Sequence, residues 1–157
     1  MIVIADTSPI NYLIVIGEID VLYSLFEEVI IPQAVFDELS HEKAPAIVND
    51  FVANKPDWLK IKAPEISNDP TLNRLGRGER EAIILAESLK ADYLVIDERA
   101  GFAEAMKRNL PAIGTLFILE LAAKDNLLEL RPSIEKLLKT SFRVSTNIVK
   151  TILERNS

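Results

Sequence analysis

Cysteine is absent from the 157 residues and histidine occurs once. Disulfides and thiolate metal centres are thereby excluded, and a reducing compartment is the simpler setting. No apolar run reaches the roughly 18 residues of a membrane span. The N-terminus carries neither the basic n-region nor the small-residue cleavage site of a secretory leader. These absences lead to the expectation of a soluble, cytoplasmic protein. Nucleotide-binding signatures are missing too. There is no GxxxxGK[ST], and "GRGERE" (76–81) fails the GxGxxG fingerprint at its last position. The single histidine, His41, lies late in a polar helical segment without triad context, where it suits the last turn of a helix. A receiver-type phosphoacceptor domain would want two adjacent early acids, and Asp6 stands alone.

What is present is a folding sequence. Hydrophobic residues make up 48% of the chain and the mean hydropathy is positive, which excludes a disordered polyampholyte. The length is that of one ordinary domain. The formal charge of −6 opposes strong nonspecific attraction to a polyanion. It is unevenly spread: residues 131–157 hold six Lys/Arg against two Asp/Glu, a charge of +4 that leaves −10 on residues 1–130. By itself this describes a basic, solvated helical extension.

Pattern reading gives alternating elements. "IVIA" (2–5), "EVII" (28–31), "WLKI" (58–61), "DYLVID" (92–97) and "PAIG" (111–114) read as short strands. Helices are predicted from Ser8-Pro9 onward, with Ser8 as N-cap, and over 18–27, 32–42, 44–54, 79–90, 98–109 and 115–126. Two more cover 132–140 and 146–155, the second capped by Ser145. Residues 62–77 are polar and carry prolines, so they form a surface loop. Strands alternating with helices predict a single-domain α/β fold, a three-layer α/β/α sandwich on a short parallel sheet, spanning 1–157.

Open parallel sheets bind ligands beyond the carboxyl ends of their strands. Asp6 follows "IVIA" and Asp97 follows "YLVI", so both belong to that rim. Taken singly, each fits an Asx-turn or a helix cap equally well. Glu38 takes an inward slot of the stripe Ile31, Ala34, Val35, Glu38, Leu39, where an apolar residue is expected. In "GEREAIILAESL", Glu79 and Glu81 sit on opposite margins of the apolar face, and either suits the rim. Four acids, Asp6, Glu38, Glu81 and Asp97, thus become candidates for one edge. Carboxylates so placed repel unless cations intervene, and Mg²⁺ or Mn²⁺ with oxygen ligands supplies that charge.

On these residues the sequence resembles the PIN-domain ribonucleases, the fold of VapC-like toxins. "IVIADTS" resembles the family's first strand and acid, and "IPQAVFDEL" resembles the helix bearing the second acid, Glu38. "EREAIILA" resembles the helix of the third, aligned with Glu81, and "YLVIDERAGF" the strand ending in the fourth, Asp97. "AIGTLFILELAAKDNLLE" resembles a subgroup with a "GTLG"-like turn and a helical tail such as "SFRVS". Three departures stand out: Glu at the third site with Glu79 as competitor, Val95 in place of Thr or Ser, and Phe117 in place of a small residue.

The resemblance implies a Mg²⁺- or Mn²⁺-dependent endoribonuclease, with Asp6, Glu38, Glu81 and Asp97 as catalytic residues and metal ligands. It also implies an RNA substrate, a cognate antitoxin protein and a homodimer. Ser8 would hold a carboxylate or water, and Arg74, Arg77 and Arg80 would contact phosphates or form a solvated face. The competing class is a PIN-fold module that binds RNA or protein without cutting.

Overall fold

A computed structural model describes residues 1–157. Five strands, β1 (Val3–Ala5), β2 (Val29–Pro32), β3 (Leu59–Lys62), β4 (Tyr93–Val95) and β5 (Ala112–Ile113), form one sheet in the order β3-β2-β1-β4-β5. Every pairing is parallel, with Ile4 opposite both Ile30 and Leu94. Nine helices cover the sheet: α1 (Thr7–Val15), α2 (Val21–Phe26), α3 (Gln33–Ser40), α4 (Ala46–Ala53), α5 (Arg77–Ser88), α6 (Arg99–Lys107), α7 (Thr115–Lys124), α8 (Leu130–Leu138) and α9 (Thr146–Arg155). The α/β sandwich expected from the sequence is the one observed.

The strands show why both layers are needed. Side chains alternate across a sheet, so Val3, Ala5, Val29, Ile31 and Val95 enter one core while Ile4, Leu94 and Ile96 enter the other. The first core is completed by α1, α2, α4, α7 and α8; the second by α5 and α6 with Leu72 and Leu75 of the loop. Each fully buried Leu or Ile contributes roughly 1.5–3 kcal/mol, which makes these continuous apolar strands stable only when covered on both sides. The basic C-terminal region takes part: α8 adds Ile134 and Leu137 to the larger core and α9 adds Ile152. Glu120 of α7, 3% exposed, clasps α9 through the Arg155 guanidinium and the Asn156 amide.

Helix ends depart from the sequence reading in instructive ways. The first helix starts at Thr7 with Asp6 in the cap position, so Ser8 lies within the first turn and caps nothing. The strand ladder holds Asp6 extended, its amide donating to the Val95 carbonyl (2.9 Å), and the chain turns helical immediately after. Ser145 does cap the last helix, accepting from the Ile148 amide at 3.2 Å. The second helix is shorter than 18–27: it starts only at Val21, after a turn at residues 19–20, and Glu27 (φ +66°) ends it. By contrast α3 and α7 have Pro32 and Gly114 at their N-caps, residues with no side-chain acceptor. Their first amides are satisfied from elsewhere, with direct consequences for the site.

Candidate active site at the carboxyl rim

In the order β3-β2-β1-β4-β5 the chain builds outward from β1 to one side and then from β4 to the other. The crevice between two such strands is where open parallel sheets bind ligands. The tip of β1 delivers Asp6, and the chain leaving β4 delivers Ile96, Asp97 and Glu98.

Asp6 is 3% exposed, and its Oδ1 is buried without any hydrogen-bond partner, the sole side-chain atom of the chain in that state. Burial is the main cause that pushes its carboxyl up to about 7. The Thr7 amide opposes the rise, and the carboxylates of Glu79, Glu38 and Glu98 add to it. No lysine or arginine pairs with Asp6, whereas a buried carboxylate in a stable core normally has a partner.

Glu38 reaches this position from α3. Its helix slot is on the inward stripe, but the side chain emerges at the rim and is exposed, so it carries none of the burial penalty the stripe implies. Its Oε2 accepts a hydrogen bond from Thr7 Oγ1. Thr7, overlooked in the sequence, therefore positions the second acid, while Ser8 Oγ donates to Glu98 Oε1 at 3.5 Å. Gly78 explains how α5 comes so near. A Cβ there would stand 2.9 and 3.0 Å from the Glu38 oxygens and 3.2 Å from Asp6 Oδ1, so only glycine leaves the space between the two acids open.

The two glutamates of α5 divide the work. Glu79 faces Asp6; its carboxyl is raised by burial and by the charges of Glu98 and Glu38, with the Gly76 amide acting in the opposite direction. Gly101 of α6 lets Glu79 lie flat, since a Cβ there would meet Glu79 Oε2 at 2.8 Å and Ile96 Cδ1 at 2.7 Å. Glu81 turns to α3 instead. Its Oε1 accepts from the Ala34 amide (2.9 Å), serving the helix that Pro32 cannot cap, and its Oε2 pairs with Arg77 Nε (3.3 Å).

Asp97 is engaged in a similar way. It accepts from the Thr115 amide (2.8 Å) and from Thr115 Oγ1 (2.6 Å), capping α7 where Gly114 cannot. Burial raises its carboxyl, and the Thr115 bonds pull it back. Thus Asp6, Glu38, Glu79 and Glu98 act on one another across the crevice, with Asp97 anchored beside them and Glu81 committed to α3. No three carboxylate or imidazole groups stand as a ready-made ligand set in this conformation. Arg74 and Arg77 are likewise committed, to Glu104 (3.0 Å) and to Asp37 (3.2 Å). The signals that mark Glu79 and Glu98 are local: the Gly-x-Gly-Glu run, and the second acid directly after a strand-tip aspartate.

A parallel α/β sandwich with acids gathered at its topological switch point belongs to the class of open-sheet folds whose crevice binds ligands. A family model described as a PIN domain matches residues 2–157, and the chain belongs to that family. No curated protein matches it. The PIN domain is a nuclease-type fold, and PIN nucleases generally use divalent metals and bind nucleic acid. No helix is long and apolar enough to cross a membrane.

Proposed function

We propose that the protein is a divalent-metal-dependent endoribonuclease whose acidic set is Asp6, Glu38 and Glu79, completed by the strand-tip pair Asp97 and Glu98. The observation that carries this reading is Asp6: a buried carboxylate with an unpartnered oxygen, surrounded by acids and facing no base. Left alone, that arrangement disfavours the charged state of Asp6. A hard cation with oxygen ligands relieves it, and the donors present are all carboxylate oxygens, the set suited to Mg²⁺ or Mn²⁺. Asp6, Glu38 and Glu79 would hold the ion, around the space that Gly78 keeps free.

When bound, such an ion offsets the charge that develops on the oxygens of a phosphodiester during displacement. The chain's own residues do the rest. Thr7 holds Glu38 through its hydroxyl, and Gly101 leaves the room that the Glu79 carboxyl occupies. Thr115 holds Asp97, and through it the orientation of the chain leading into Glu98. Glu98, exposed at the open side of the crevice, is placed to accept a proton from water entering with the substrate. Glu81, the third acid by resemblance, is assigned a structural role here, as the tertiary cap of α3. A toxin role in the cytoplasm, an antitoxin partner and a homodimer belong to the same reading and are supported by the resemblance of the sequence alone.

The test is cleavage of single-stranded RNA by purified protein with Mn²⁺ or Mg²⁺, beside EDTA and Asp6→Asn. Cutting that needs the metal and disappears in Asp6→Asn is the expected result. Equal behaviour of wild type and variant on several RNAs would replace the nuclease by a PIN-fold binding module.

A further inference from the structure

Next to the acids the chain forms a second concavity, and its far wall comes from the C-terminal region. The segment between α8 and α9 lies beside the chain leaving β4, and the Glu120 clasp secures α9 just after it. Together with α1 and the start of α6 it encloses a cavity of about 410 Å³ lined by Tyr12, Asp97, Glu98, Arg99, Phe142 and Arg143. Tyr12 and Phe142 lock the segment in place, ring edge to ring face with centroids 5.3 Å apart, and Tyr12 Oη lies 3.3 Å from Ser141 Oγ.

The two arginines of this cavity differ from four of the other six in the molecule. Four of the eight arginines, Arg74, Arg77, Arg108 and Arg155, pair with carboxylates. Arg99 makes no ion pair, although Asp97 and Glu98 line the same cavity. Arg143 also has no carboxylate partner; its Nη1 donates only to the Thr140 and Phe142 carbonyls, at 3.4 and 3.2 Å. Both side chains are exposed. Two free guanidinium groups at the edge of a carboxylate site are suited to an anion that must come close to those acids without being repelled. The planar guanidinium fork matches phosphate.

We propose that Arg99 and Arg143 form a subsite for a backbone phosphate of single-stranded RNA, one that flanks the bond presented to the acids. This rests on the nuclease reading above. The C-terminal region then has a part in substrate binding as well as in packing, through Arg143, one of its six cations. Arg99 and Arg143 are positioning residues: they hold the strand and leave the reacting bond to the carboxylates.

The experiment is binding of a fluorescein-labelled single-stranded RNA 12-mer to the full chain, followed by anisotropy across a NaCl series in Ca²⁺, with cleavage kinetics in Mn²⁺ alongside. The variants are Arg99→Gln, Arg143→Gln, the double change, Arg99→Lys with Arg143→Lys, and Arg131→Gln as an unpaired arginine outside the cavity. For single strands each lost phosphate contact reduces the slope of log K against log salt by about 0.7. The double Gln variant, which loses the one phosphate the subsite holds, should therefore lose about 0.7 in slope and about 10-fold or more in affinity. Its KM should rise with kcat nearly unchanged, the double Lys variant should regain the slope, and Arg131→Gln should match wild type. Unchanged slope and KM in the double Gln variant, with a wild type that binds and cuts RNA, overturn the subsite and leave the nuclease standing. A wild type that neither binds nor cuts overturns both.

Discussion

Two aspartates with the same intrinsic acidity sit in opposite surroundings. Asp69, in the loop before α5, accepts from Thr71 and from Arg108, and its carboxyl falls to about 2. Asp6 is buried among acids and rises to about 7. Around Asp69 the chain has built a satisfied network: Arg108 donates to Glu104 (2.9 Å), Glu87 (2.8 Å) and Asp69 (2.8 Å), and Arg74 adds a second bond to Glu104. That network ties the loop to α6 and serves stability. Around Asp6 no cation was placed, and one of its oxygens has no partner. The difference is one of partners: the chain satisfies the carboxylate of Asp69 and leaves that of Asp6 among like charges, the surroundings on which the proposed site rests.

The contrast can be broken most sharply at Asp6 itself. Asp6→Asn should lower the metal-dependent cleavage rate on the order of 10³-fold, while its Tm at pH 7.5 without metal rises. A variant that loses stability instead would show that Asp6 serves the fold. Next comes pH. The folded pKa of Asp6 lies above its unfolded value of 3.8, so the folded state keeps a proton that the unfolded state releases. Stability of the metal-free protein therefore falls as pH rises from about 4 to 7, by roughly 4 kcal/mol if Asp6 acts alone. Asp69 has the opposite sign: its folded pKa is depressed, so its contribution is present above pH 4 and lost as pH falls toward 2. Thermal melts in EDTA should peak near pH 4, and Mn²⁺ should raise Tm most at neutral pH. A metal-free curve that climbs steadily to pH 7 would contradict the assignment.

The two glutamates of α5 allow a finer separation. Glu79→Gln should cost on the order of 10² in rate with little change in Tm. Glu81→Gln should do the reverse, weakening the bonds to Ala34 and Arg77 by about 1–2 kcal/mol, which lowers Tm by a few degrees. Kinetics and melts on the pair decide which residue is the third acid; equal rate losses would return Glu81 to the site. The smallest effect expected is that of Gly78→Ala, about 10-fold in rate, since the added Cβ forces Glu38 to give by a few tenths of an ångström. An unchanged rate would mean that the space beside Gly78 is not used.

Much of this was legible along the chain. The continuous apolar runs of Val3–Ala5 and Tyr93–Val95, each leading to an acid, located the sheet and the rim at which those acids stand. Glu38 was visible because it interrupts an apolar stripe at helical spacing. The assignments that shifted all concern helix ends. Ser8 looked like a cap, but the ladder bond from Asp6 to Val95 fixes the helix start two residues earlier. Helix ends also engage two of the acids named from the sequence: the carboxylates of Glu81 and Asp97 accept bonds from the first amides of α3 and α7. Nothing local announces this, because the amides they satisfy lie 47 and 18 residues away along the chain.

The sequence by itself determined the α/β class, the parallel sheet and the edge at which the acids collect, because periodicity and turn chemistry act within a few residues. Which acids face one another was decided only in three dimensions. Pro32 and Gly114 leave helix amides that must be satisfied, and the carboxylates nearest in space, Glu81 and Asp97, are drawn to them. Gly78 and Gly101 then let Glu38 and Glu79 close on Asp6. That competition for hydrogen bonds between distant segments depends on packing, and no single stretch of the chain contains it.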